Sequence, residues 1–224
     1  MSEAIDFWRG DFGSSYIDRN NSPQLIKNNE ALFRKALLPM FYTTPMRIIE
    51  FGANIGLNIH ALRRIAPFST CEFSAVEPNE KAADELRKIE GVNVYQTSMQ
   101  DADEPWGKGY DLSISRGLLI HIPPAELPTA YSALYRATRR YILVAEYHAT
   151  KPTEVEYRGH SGRLWKRDFA AEMLDLYPDL CVSNYGFAWH RDPYAPQDDI
   201  TYTLLERNQG MAEEHRRARD GRTA

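Results

Sequence analysis

Apolar and polar positions along the chain alternate in blocks that predict strands and helices in turn. Five apolar runs of strand length are separated by segments with helical spacing, and they lie at 47–51, 70–78, 92–96, 110–115 and 141–147. Strands that alternate with helices in this way form parallel βαβ units. Two later strands, 180–187 and 200–206, have no helix between them and predict an antiparallel hairpin. The expected fold is α/β, a doubly wound, seven-stranded and mostly parallel sheet closed by that terminal hairpin.

Capping residues mark where several helices begin. Ser22 followed by Pro23 is typical of a helix start, with serine as the N-cap and proline as the first helical residue. Asn79 can cap a helix that runs roughly to Lys88. Apolar residues on one side of 164–177 predict a further helix.

The first strand leads directly into a glycine loop. The sequence there is Glu50-Phe51-Gly52-Ala53-Asn54-Ile55-Gly56, and a helical pattern follows at once. Glycines let the backbone approach a ligand, and the new helix directs its free N–H groups into the crevice. Strand, glycine loop and helix therefore predict a small-molecule site at the carboxyl end of the sheet.

The first 22 residues are rich in aromatic side chains and glycine, and glycine interrupts any long helical pattern. Exposed aromatic rings need an explanation, and the sequence leaves two explanations open. The segment is either a flap packed on the core or a lid that closes on a bound ligand. As a lid, it would be mobile until the ligand binds, and Tyr16 and Arg19 would donate to an anionic group.

Composition narrows the class of protein. The chain has 224 residues, 43% of them hydrophobic, and a formal net charge of -4. We expect one domain over 1–206, with its N-terminal lid at 1–45, and a flexible tail at 207–224. The acidic balance argues against nucleic acid as a partner. We also expect no membrane span and a cytoplasmic location, because there is neither a long apolar run nor a signal peptide.

The glycine loop and its surroundings resemble the class I S-adenosylmethionine-dependent methyltransferases over about 25–206. The family pattern after strand one is an acid followed by Gly-x-Gly-x-Gly. Glu50, Gly52 and Gly56 match this pattern, whereas Asn54 replaces the middle glycine. Asparagine tolerates a left-handed backbone, so the turn can survive the replacement.

Three more segments carry the same resemblance. Glu77 ends the second strand, where the family has an acid that accepts hydrogen bonds from the ribose hydroxyls. Ser98-Met99 corresponds to the adenine pocket, and 115–123 resembles the exit of the family's fourth strand. The resemblance implies S-adenosylmethionine as the cofactor and no metal. It implies the following cofactor-binding residues: Tyr16, Arg19, Glu50, Gly52, Asn54, Gly56, Glu77, Pro78, Ser98, Met99 and Ser115.

A nicotinamide dinucleotide is the rival ligand. Its fingerprint is Gly-x-Gly-x-x-Gly, and the loop from Gly52 lacks the second glycine and displaces the third. An acid two residues before the first glycine also suits a cationic amino acid moiety better than a pyrophosphate. A catalytically inactive binder built on the same fold stays open as another alternative.

Methyl transfer to a hydroxyl would require a base. The candidates follow the carboxyl ends of strands: His121 after the fourth, and Tyr147 and His148 after the fifth. His121 has an equal interpretation as a structural residue that holds its loop. Positioning alone can suffice if the acceptor is an unprotonated amine.

A basic and aromatic segment after residue 147 predicts where the acceptor binds. Arginine forks suit carboxylates and phosphates. The basic residues also lie at the start of the helix predicted for 164–177, where a basic cluster is unusual. A solvated loop is the alternative. The predicted substrate-binding residues are Arg158, His160, Arg163, Trp165 and Lys166, with His190 and Arg191 as a second wall.

A narrower resemblance rests on the segments 7–13, 16–20, 157–160, 164–169 and 189–192. Together they resemble the methyltransferases associated with pseudaminic acid biosynthesis, which implies a small, anionic, sugar-derived acceptor. The sequence thus predicts a small-molecule O- or N-methyltransferase, either a monomer or a homodimer, with an anionic sugar- or nucleotide-derived acceptor. A methyltransferase acting on a protein or RNA and a non-catalytic cofactor binder are the alternatives.

Overall fold

The computed structural model describes residues 3–19, 21–42, 47–101 and 104–208. Its main sheet has seven strands in the order β3-β2-β1-β4-β5-β9-β8. Neighbouring strands from β3 through β5 pair in parallel, and β9 pairs antiparallel with both β5 and β8. The strands are β1 Arg47–Phe51, β2 Glu72–Val76, β3 Val92–Tyr95, β4 Tyr110–Arg116, β5 Thr138–Tyr147, β8 Leu180–Ala188 and β9 Ile200–Arg207. The predicted mostly parallel sheet with an antiparallel hairpin is confirmed.

Helices cover both faces of the sheet. They are α1 Glu3–Arg9, α2 Asp11–Arg19, α3 Pro23–Ala36, α4 Leu57–Arg63, α5 Glu80–Arg87, α6 Leu127–Ala137 and α7 Phe169–Leu176. Short 3-10 helices occur at Leu38–Tyr42, Ala66–Phe68 and Leu119–His121. The core on one face is built with residues of α3, α4 and α5, and the core on the other with α6 and α7. The N-terminal pair, α1 and α2, lies over the carboxyl ends of the strands.

The central strands are buried on both faces, as parallel strands between helices must be. In β1, Ile48 belongs to the α3 and α4 side, and Ile49 and Phe51 belong to the α6 side. Successive side chains on a strand point to opposite faces, so an unbroken apolar run supplies both cores at once. Because β1 pairs in parallel with both β2 and β4, the carboxyl ends of these three strands lie at the same edge of the sheet.

Two predicted helix starts are confirmed. Ser22 precedes α3, and its hydroxyl oxygen accepts a hydrogen bond from the backbone N–H of Gln24 at 3.2 Å, with Pro23 as the first helical residue. Asn79 caps α5 by accepting a hydrogen bond from the backbone N–H of Ala82 at 3.1 Å. Caps can be recognised in the sequence because each satisfies backbone donors within two or three residues.

The helix predicted for 164–177 is wrong in its first part. Trp165–Lys166 forms a short strand, β7, which pairs antiparallel with β6 at Thr153–Glu154. The helix begins only at Phe169, after Asp168 accepts a hydrogen bond from the N–H of Ala171 at 3.0 Å. The basic residues 158–167 thus precede the helix and its acidic cap. They do not occupy a helix N-terminus, so that argument for a waiting anion fails.

Two other boundaries differ from the sequence prediction. The fifth strand, β5, begins at Thr138 rather than at Tyr141. The last strand includes Arg207, whose guanidinium donates to the carbonyl of Thr138 at 2.8 Å. The predicted tail from 209 onward lies outside the described residues.

Among the described residues, no helix is both long and apolar enough to span a membrane. Within the same part of the chain, no group of three or more histidine, cysteine, aspartate or glutamate side chains has a metal-binding arrangement.

Candidate cofactor and acceptor site

A deep cavity opens where β1, β2 and β4 end. Its floor comes from the three loops that follow these strands, and its walls come from α1, α2, α3, α4 and the connection before β9. The loops contribute Gly52, Ala53, Asn54, Glu77, Pro78, Asn79, Arg116, Gly117, Leu118 and His121. The walls include Trp8, Gly13, Tyr16, Leu25, Asn29, Asn58, Pro196, Gln197 and Asp198.

The glycine loop has the left-handed turns that its sequence predicts. Gly52, Asn54 and Gly56 have φ angles of 68°, 47° and 82°. A Cβ at Gly52 would lie 2.8 Å from Leu118 Cδ1, so the loop also needs glycine for close packing. Asn54 adopts the conformation expected of asparagine in place of the family's middle glycine. Its backbone N–H donates to Glu77 Oε2 at 2.9 Å, which ties the first loop to the second.

Glu77 presents a buried carboxylate to the cavity. Its other oxygen, Oε1, accepts a hydrogen bond from the N–H of Asn79 at 2.9 Å, so each oxygen is oriented by one backbone donor. Burial raises the pKa of Glu77 to about 7, although these two N–H groups favour the charged form. A carboxylate that holds one donor on each oxygen can still accept two more hydrogen bonds from a ligand.

A chain of buried amides runs from Glu50 to Arg116. The chain passes in order through Glu50, Asn58, Asn29, Gln197 and Arg116, with donor–acceptor distances of 2.5, 2.8, 3.3 and 2.6 Å. Each amide uses its oxygen on one side and its nitrogen on the other, so the orientation of every amide is fixed. The network joins α3, α4, β1, β4 and the connection before β9 around one end of the cavity.

The two ends of this chain keep unused polar atoms. Glu50 Oε2 and Arg116 Nε are buried and have no hydrogen-bond partner among the described residues. Burial raises the pKa of Glu50 to about 8, and burial lowers the pKa of Arg116. Buried polar atoms without partners are uncommon in proteins. Arg116 lines the main cavity and suits an anionic group there, whereas the predicted cofactor residues Glu50 and Gly56 are buried and belong to the lining of neither cavity.

Arg116 was not among the predicted site residues. The sequence does carry a signal for it, because it is a charged residue directly after a buried strand, where α/β proteins place ligand contacts. Its guanidinium lines the cavity, and only the fold shows that Tyr16 and Gln197 lie beside it.

A second, apolar cavity adjoins the first and shares Trp8, Gly52, Pro78, Leu118 and His121 with it. The predicted adenine residues Ser98 and Met99 line this second cavity. The remaining lining is Ala4, Ile5, Val76, Gln100 and Ile122. A flat heterocycle fits such surroundings because apolar side chains enclose it and few polar groups compete.

The other predicted cofactor residues differ in their access to the cavity. Tyr16 lines it, and burial followed by the nearby Tyr157 raises the Tyr16 pKa. Ser115 is fully buried beneath the floor and donates to Glu146 Oε1 at 2.6 Å, so its hydroxyl makes no direct ligand contact in this arrangement. The side chain of Arg19 lies outside the described part of the structure.

His121 lines both cavities and is held as a neutral imidazole. Its Nδ1 lies 2.7 Å from the carbonyl oxygen of Arg163, and because a carbonyl only accepts, Nδ1 carries the proton. Burial lowers the pKa of His121 to about 4. The rings of Trp8 and Tyr157 lie 4.6 and 4.9 Å from the imidazole. The lone pair on Nε2 is therefore the group that can accept a proton.

Tyr147 and His148 do not line either cavity. The pKa of Tyr147 is raised by burial and then by the charge of Asp198, which opposes its action as a base. His148 is exposed and lines a separate small cavity with Glu146 and Arg167. The structure thus places one of the three predicted bases, His121, at the site.

None of the seven predicted substrate-binding side chains lines either cavity. Arg163 instead donates to Glu3 of α1 at 2.5 Å and lies over the ring of Phe7. His160 contacts the rings of Phe7 and Phe12. The segment 157–163 therefore packs against the N-terminal helices and forms an outer layer of the site.

The remaining members of that set are dispersed. Trp165 is buried in β7, and Lys166 lies over the ring of Tyr147. His190 hydrogen-bonds Asp199 at 2.8 Å, and Arg191 lies over Trp189. Arg158 is exposed in a turn with a φ of 53°. The structure therefore does not bring these side chains together around the two cavities described above.

Comparison with known proteins bears on the fold alone. No protein-family model matches the sequence, and no curated protein matches it. Solved structures do match. The 1,6-didemethyltoxoflavin-N1-methyltransferase of Burkholderia thailandensis, with 1,6-didemethyltoxoflavin and S-adenosylhomocysteine bound, has a TM-score of 0.64 and 15% identity. That match covers 93% of this chain and 92% of the other.

Two further structures agree. Magnesium protoporphyrin IX methyltransferase from Synechocystis, with bound S-adenosylhomocysteine, has a TM-score of 0.66 and 12% identity over 91% of this chain and 97% of the other. The plantazolicin methyltransferase in complex with the same product has a TM-score of 0.60 and 12% identity over 92% and 94%. The chain therefore has the Rossmann-like methyltransferase fold. The comparisons say nothing about the narrower resemblance to the pseudaminic acid group.

Proposed function

We propose that the protein is a methyltransferase that uses S-adenosylmethionine to methylate oxygen or nitrogen on a small molecule. The observation that carries this proposal is Glu77. Its buried carboxylate follows β2 directly, is oriented by the N–H groups of Asn54 and Asn79, and lines the main cavity, which adjoins the apolar one around Met99. These surroundings fit a ribose on Glu77 and an adenine in the apolar cavity.

The amide chain supports the same ligand at its other end. Arg116 and Tyr16 would bind the methionine carboxylate, and Glu50 would accept the ammonium group. Both unpartnered buried atoms, Glu50 Oε2 and Arg116 Nε, would then gain partners. A cation beside Glu50 would also lower its pKa from about 8, because an opposite charge favours the ionised form.

When bound, S-adenosylmethionine supplies an electrophilic methyl group on a sulfonium, which passes in line to the lone pair of the acceptor. His121 is the proposed base for a hydroxyl acceptor, because its Nε2 is unprotonated and the residue lines both cavities. Its low pKa makes it a weak base, so an acceptor that ionises easily or an amine suits it best. The indole N–H of Trp8 is buried without a partner among the described residues and can orient the acceptor.

A finer proposal concerns the acceptor, which we infer to be anionic and sugar- or nucleotide-derived. The support is the resemblance to the pseudaminic acid-associated group, together with the basic side chains of Arg158, His160 and Lys166 near the outer aromatic layer. These side chains lie outside the cavity linings. They would therefore contact an acceptor at the entrance rather than at the reacting atom.

We further propose that residues 1–45 act as a lid within a single domain of residues 1–206. Two helices of this segment supply cavity walls, since Trp8 and Tyr16 line the main cavity and Ala4 and Ile5 line the apolar one. A cytoplasmic location, and a monomer or homodimer, belong to the same proposal.

Transfer of a labelled methyl group tests this function. Purified protein is incubated with methyl-labelled S-adenosylmethionine and three acceptor pools: sugar nucleotides and acidic sugars, neutral small molecules, and protein or RNA. Label in the first pool supports the finer proposal, and label only in the second removes the anionic acceptor. Label only in protein or RNA favours that alternative, and cofactor binding without any transfer favours a non-catalytic binder.

A further inference from the structure

The N-terminal helix pair, defined as α1 and α2 of residues 3–19, walls both cavities. Trp8 contacts the main and the apolar cavity, Gly13 and Tyr16 the main one, and Ala4 and Ile5 the apolar one. A ligand that occupied both cavities would be enclosed by this pair. Movement of the pair away from the carboxyl ends of the strands would widen the path by which such a ligand enters or leaves.

One buried side chain holds the pair to the sheet side of the site. The amide nitrogen of Asn79 donates to the carbonyl oxygens of Trp8 and Arg9 at 3.1 and 3.2 Å, and lies 3.3 Å from Ser14 Oγ. Asn79 is 3% exposed. These hydrogen bonds close off the end of α1 and reach the start of α2, so a single amide contacts both helices.

The same residue belongs to the ligand-binding floor. Its side-chain oxygen caps α5, and its backbone N–H donates to Glu77 Oε1 at 2.9 Å. All polar atoms of the Asn79 side chain are thus used, with the oxygen directed to α5 and the nitrogen to the helix pair. Asn79 therefore both orients the Glu77 carboxylate, which is assigned to the ribose, and holds the helix pair.

Two further polar contacts of the pair are exposed or long. Glu3 pairs with Arg163 at 2.5 Å, but the Glu3 side chain is 88% exposed. Arg9 and Asp101 are 3.7 Å apart, with both side chains about one-third exposed. Exposed ion pairs contribute little to stability, whereas a buried donor with several acceptors is costly to break.

The close packing around Gly13 also supports the role of Asn79 as the residue that holds both helices. A Cβ at Gly13 would lie 1.9 Å from the carbonyl oxygen of Trp8 and 3.0 Å from Asn79 Nδ2. Only glycine allows α2 to approach the end of α1 and the Asn79 amide this closely. The chain is therefore shaped to bring the two helices to Asn79.

We propose that Asn79 is a positioning residue that holds the N-terminal helix pair closed over the cofactor cavity and so controls cofactor entry and exit. The inference rests on the proposed function for the identity of the ligand. The contact itself is independent of that identity, so the two can be tested separately.

The decisive variant is Asn79→Ser. Serine keeps an N-cap oxygen for α5 but removes the amide that reaches the helix pair, and it adds no charge beside Glu77. Stopped-flow binding of S-adenosylmethionine then separates two roles. Loss of a closing contact raises both the association and the dissociation rate constant, by about tenfold each, because opening precedes both events. Loss of a direct ligand contact raises the dissociation rate constant alone, and that result would overturn the proposal.

Asn93→Ser is the matched control, since Asn93 is exposed in β3. Its rate constants should stay within twofold of those of the unchanged protein. Asn79→Ala, which loses the cap as well, should add a fall in melting temperature that Asn79→Ser lacks. If Asn79→Ser matches Asn93→Ser in both rate constants, Asn79 only caps α5 and the proposal is wrong.

Hydrogen exchange on the unliganded protein gives a readout without any cofactor. Asn79→Ser should speed exchange of the amides in 3–19 by about tenfold and leave those of β1 and β4 unchanged. If the unchanged protein fails to bind S-adenosylmethionine, the proposed function fails, and the exchange result still decides the role of Asn79. Unaltered exchange in 3–19 would refute that role even in a protein that binds the cofactor.

Discussion

The two halves of the site differ in how they are built. On the proposed cofactor side, the loops after β1 and β2 are tied together by direct backbone hydrogen bonds to Glu77. On the proposed acceptor side, the segment 157–163 packs against the N-terminal helices through contacts between rings and between side chains. The loop contacts of the first half join residues 2 and 23 positions apart, whereas the contacts of the second join residues about 150 positions apart. This difference explains which contacts of each half can be predicted from the sequence. It also predicts how each half responds to substitution.

The largest expected effect is the pH dependence of stability that arises from Glu50. The pKa of Glu50 is about 8 in the folded protein, compared with an ordinary value of 4.5. Between these two pH values, the folded protein therefore keeps a proton that the unfolded chain has released. Stability should therefore fall as the pH rises from 5 to 8, by about 4 kcal/mol for this group. Denaturant unfolding at several pH values measures this fall.

Glu50→Gln keeps the size of the side chain and cannot ionise. Its stability should vary less across the same pH range, by the contribution of Glu50. Equal pH dependence in the two proteins would mean that Glu50 is not held neutral in the unliganded fold.

The next effect compares two glycines on different loops. A Cβ at Gly56 would lie 2.4 Å from Ile89 Cδ1, whereas nothing lies within 4 Å of a Cβ at Gly117, although both have positive φ. Gly56→Ala should cost about 3 kcal/mol of unfolding free energy from clash and backbone strain together. Gly117→Ala should cost about 1 kcal/mol from strain alone. Similar losses would contradict the view that the first loop is the tighter one.

Arg163 tests the altered interpretation of the acceptor side. Because its side chain contacts Glu3 and Phe7, Arg163→Ala should loosen α1 and weaken cofactor binding by about threefold. The sequence alone predicted an effect on the acceptor only. Arg158→Ala, at an exposed neighbouring position, is the control and should leave cofactor affinity unchanged. A loss of acceptor binding alone in Arg163→Ala would restore the sequence-based role.

The smallest effect is expected at Arg191. Its side chain lies over Trp189 outside both cavities, so Arg191→Ala should change cofactor affinity and the KM for any acceptor by less than twofold. Steady-state kinetics with the acceptor found in the labelling screen measures this. A rise in KM beyond fivefold would place the 189–199 connection at the acceptor after all.

The fold was predictable because many of its signals are local. Capping by Ser22 and Asn79, the glycine loop and an acid at the end of β2 each act within a few residues of chain. Arg116 was missed although its place at the end of β4 is a local signal, because its amide partner Gln197 lies in the 189–199 connection and is bonded in turn to Asn29 of α3. Ser115 was placed at the cofactor, yet strand alternation turns it to Glu146 beneath the floor.

The acceptor side was not predictable for the opposite reason. A run of basic residues indicates charge but not direction, and the side chains of Arg163 and Lys166 are directed to α1 and to Tyr147. The strand pair β6 and β7 replaced the first turn of the predicted helix and changed which way these residues point. Pairing between Glu154 and Trp165 has no short-range signature.

The affinity for S-adenosylmethionine of the unchanged protein and of Glu77→Ala tests the central claim most directly. Calorimetric titration should show binding that Glu77→Ala weakens by about 100-fold, because two hydrogen bonds to a charged group are lost. Glu72→Ala, at the exposed start of the same strand, should bind like the unchanged protein. Equal affinity in Glu77→Ala would show that the ribose does not lie on Glu77, and no binding by the unchanged protein would contradict the cofactor itself.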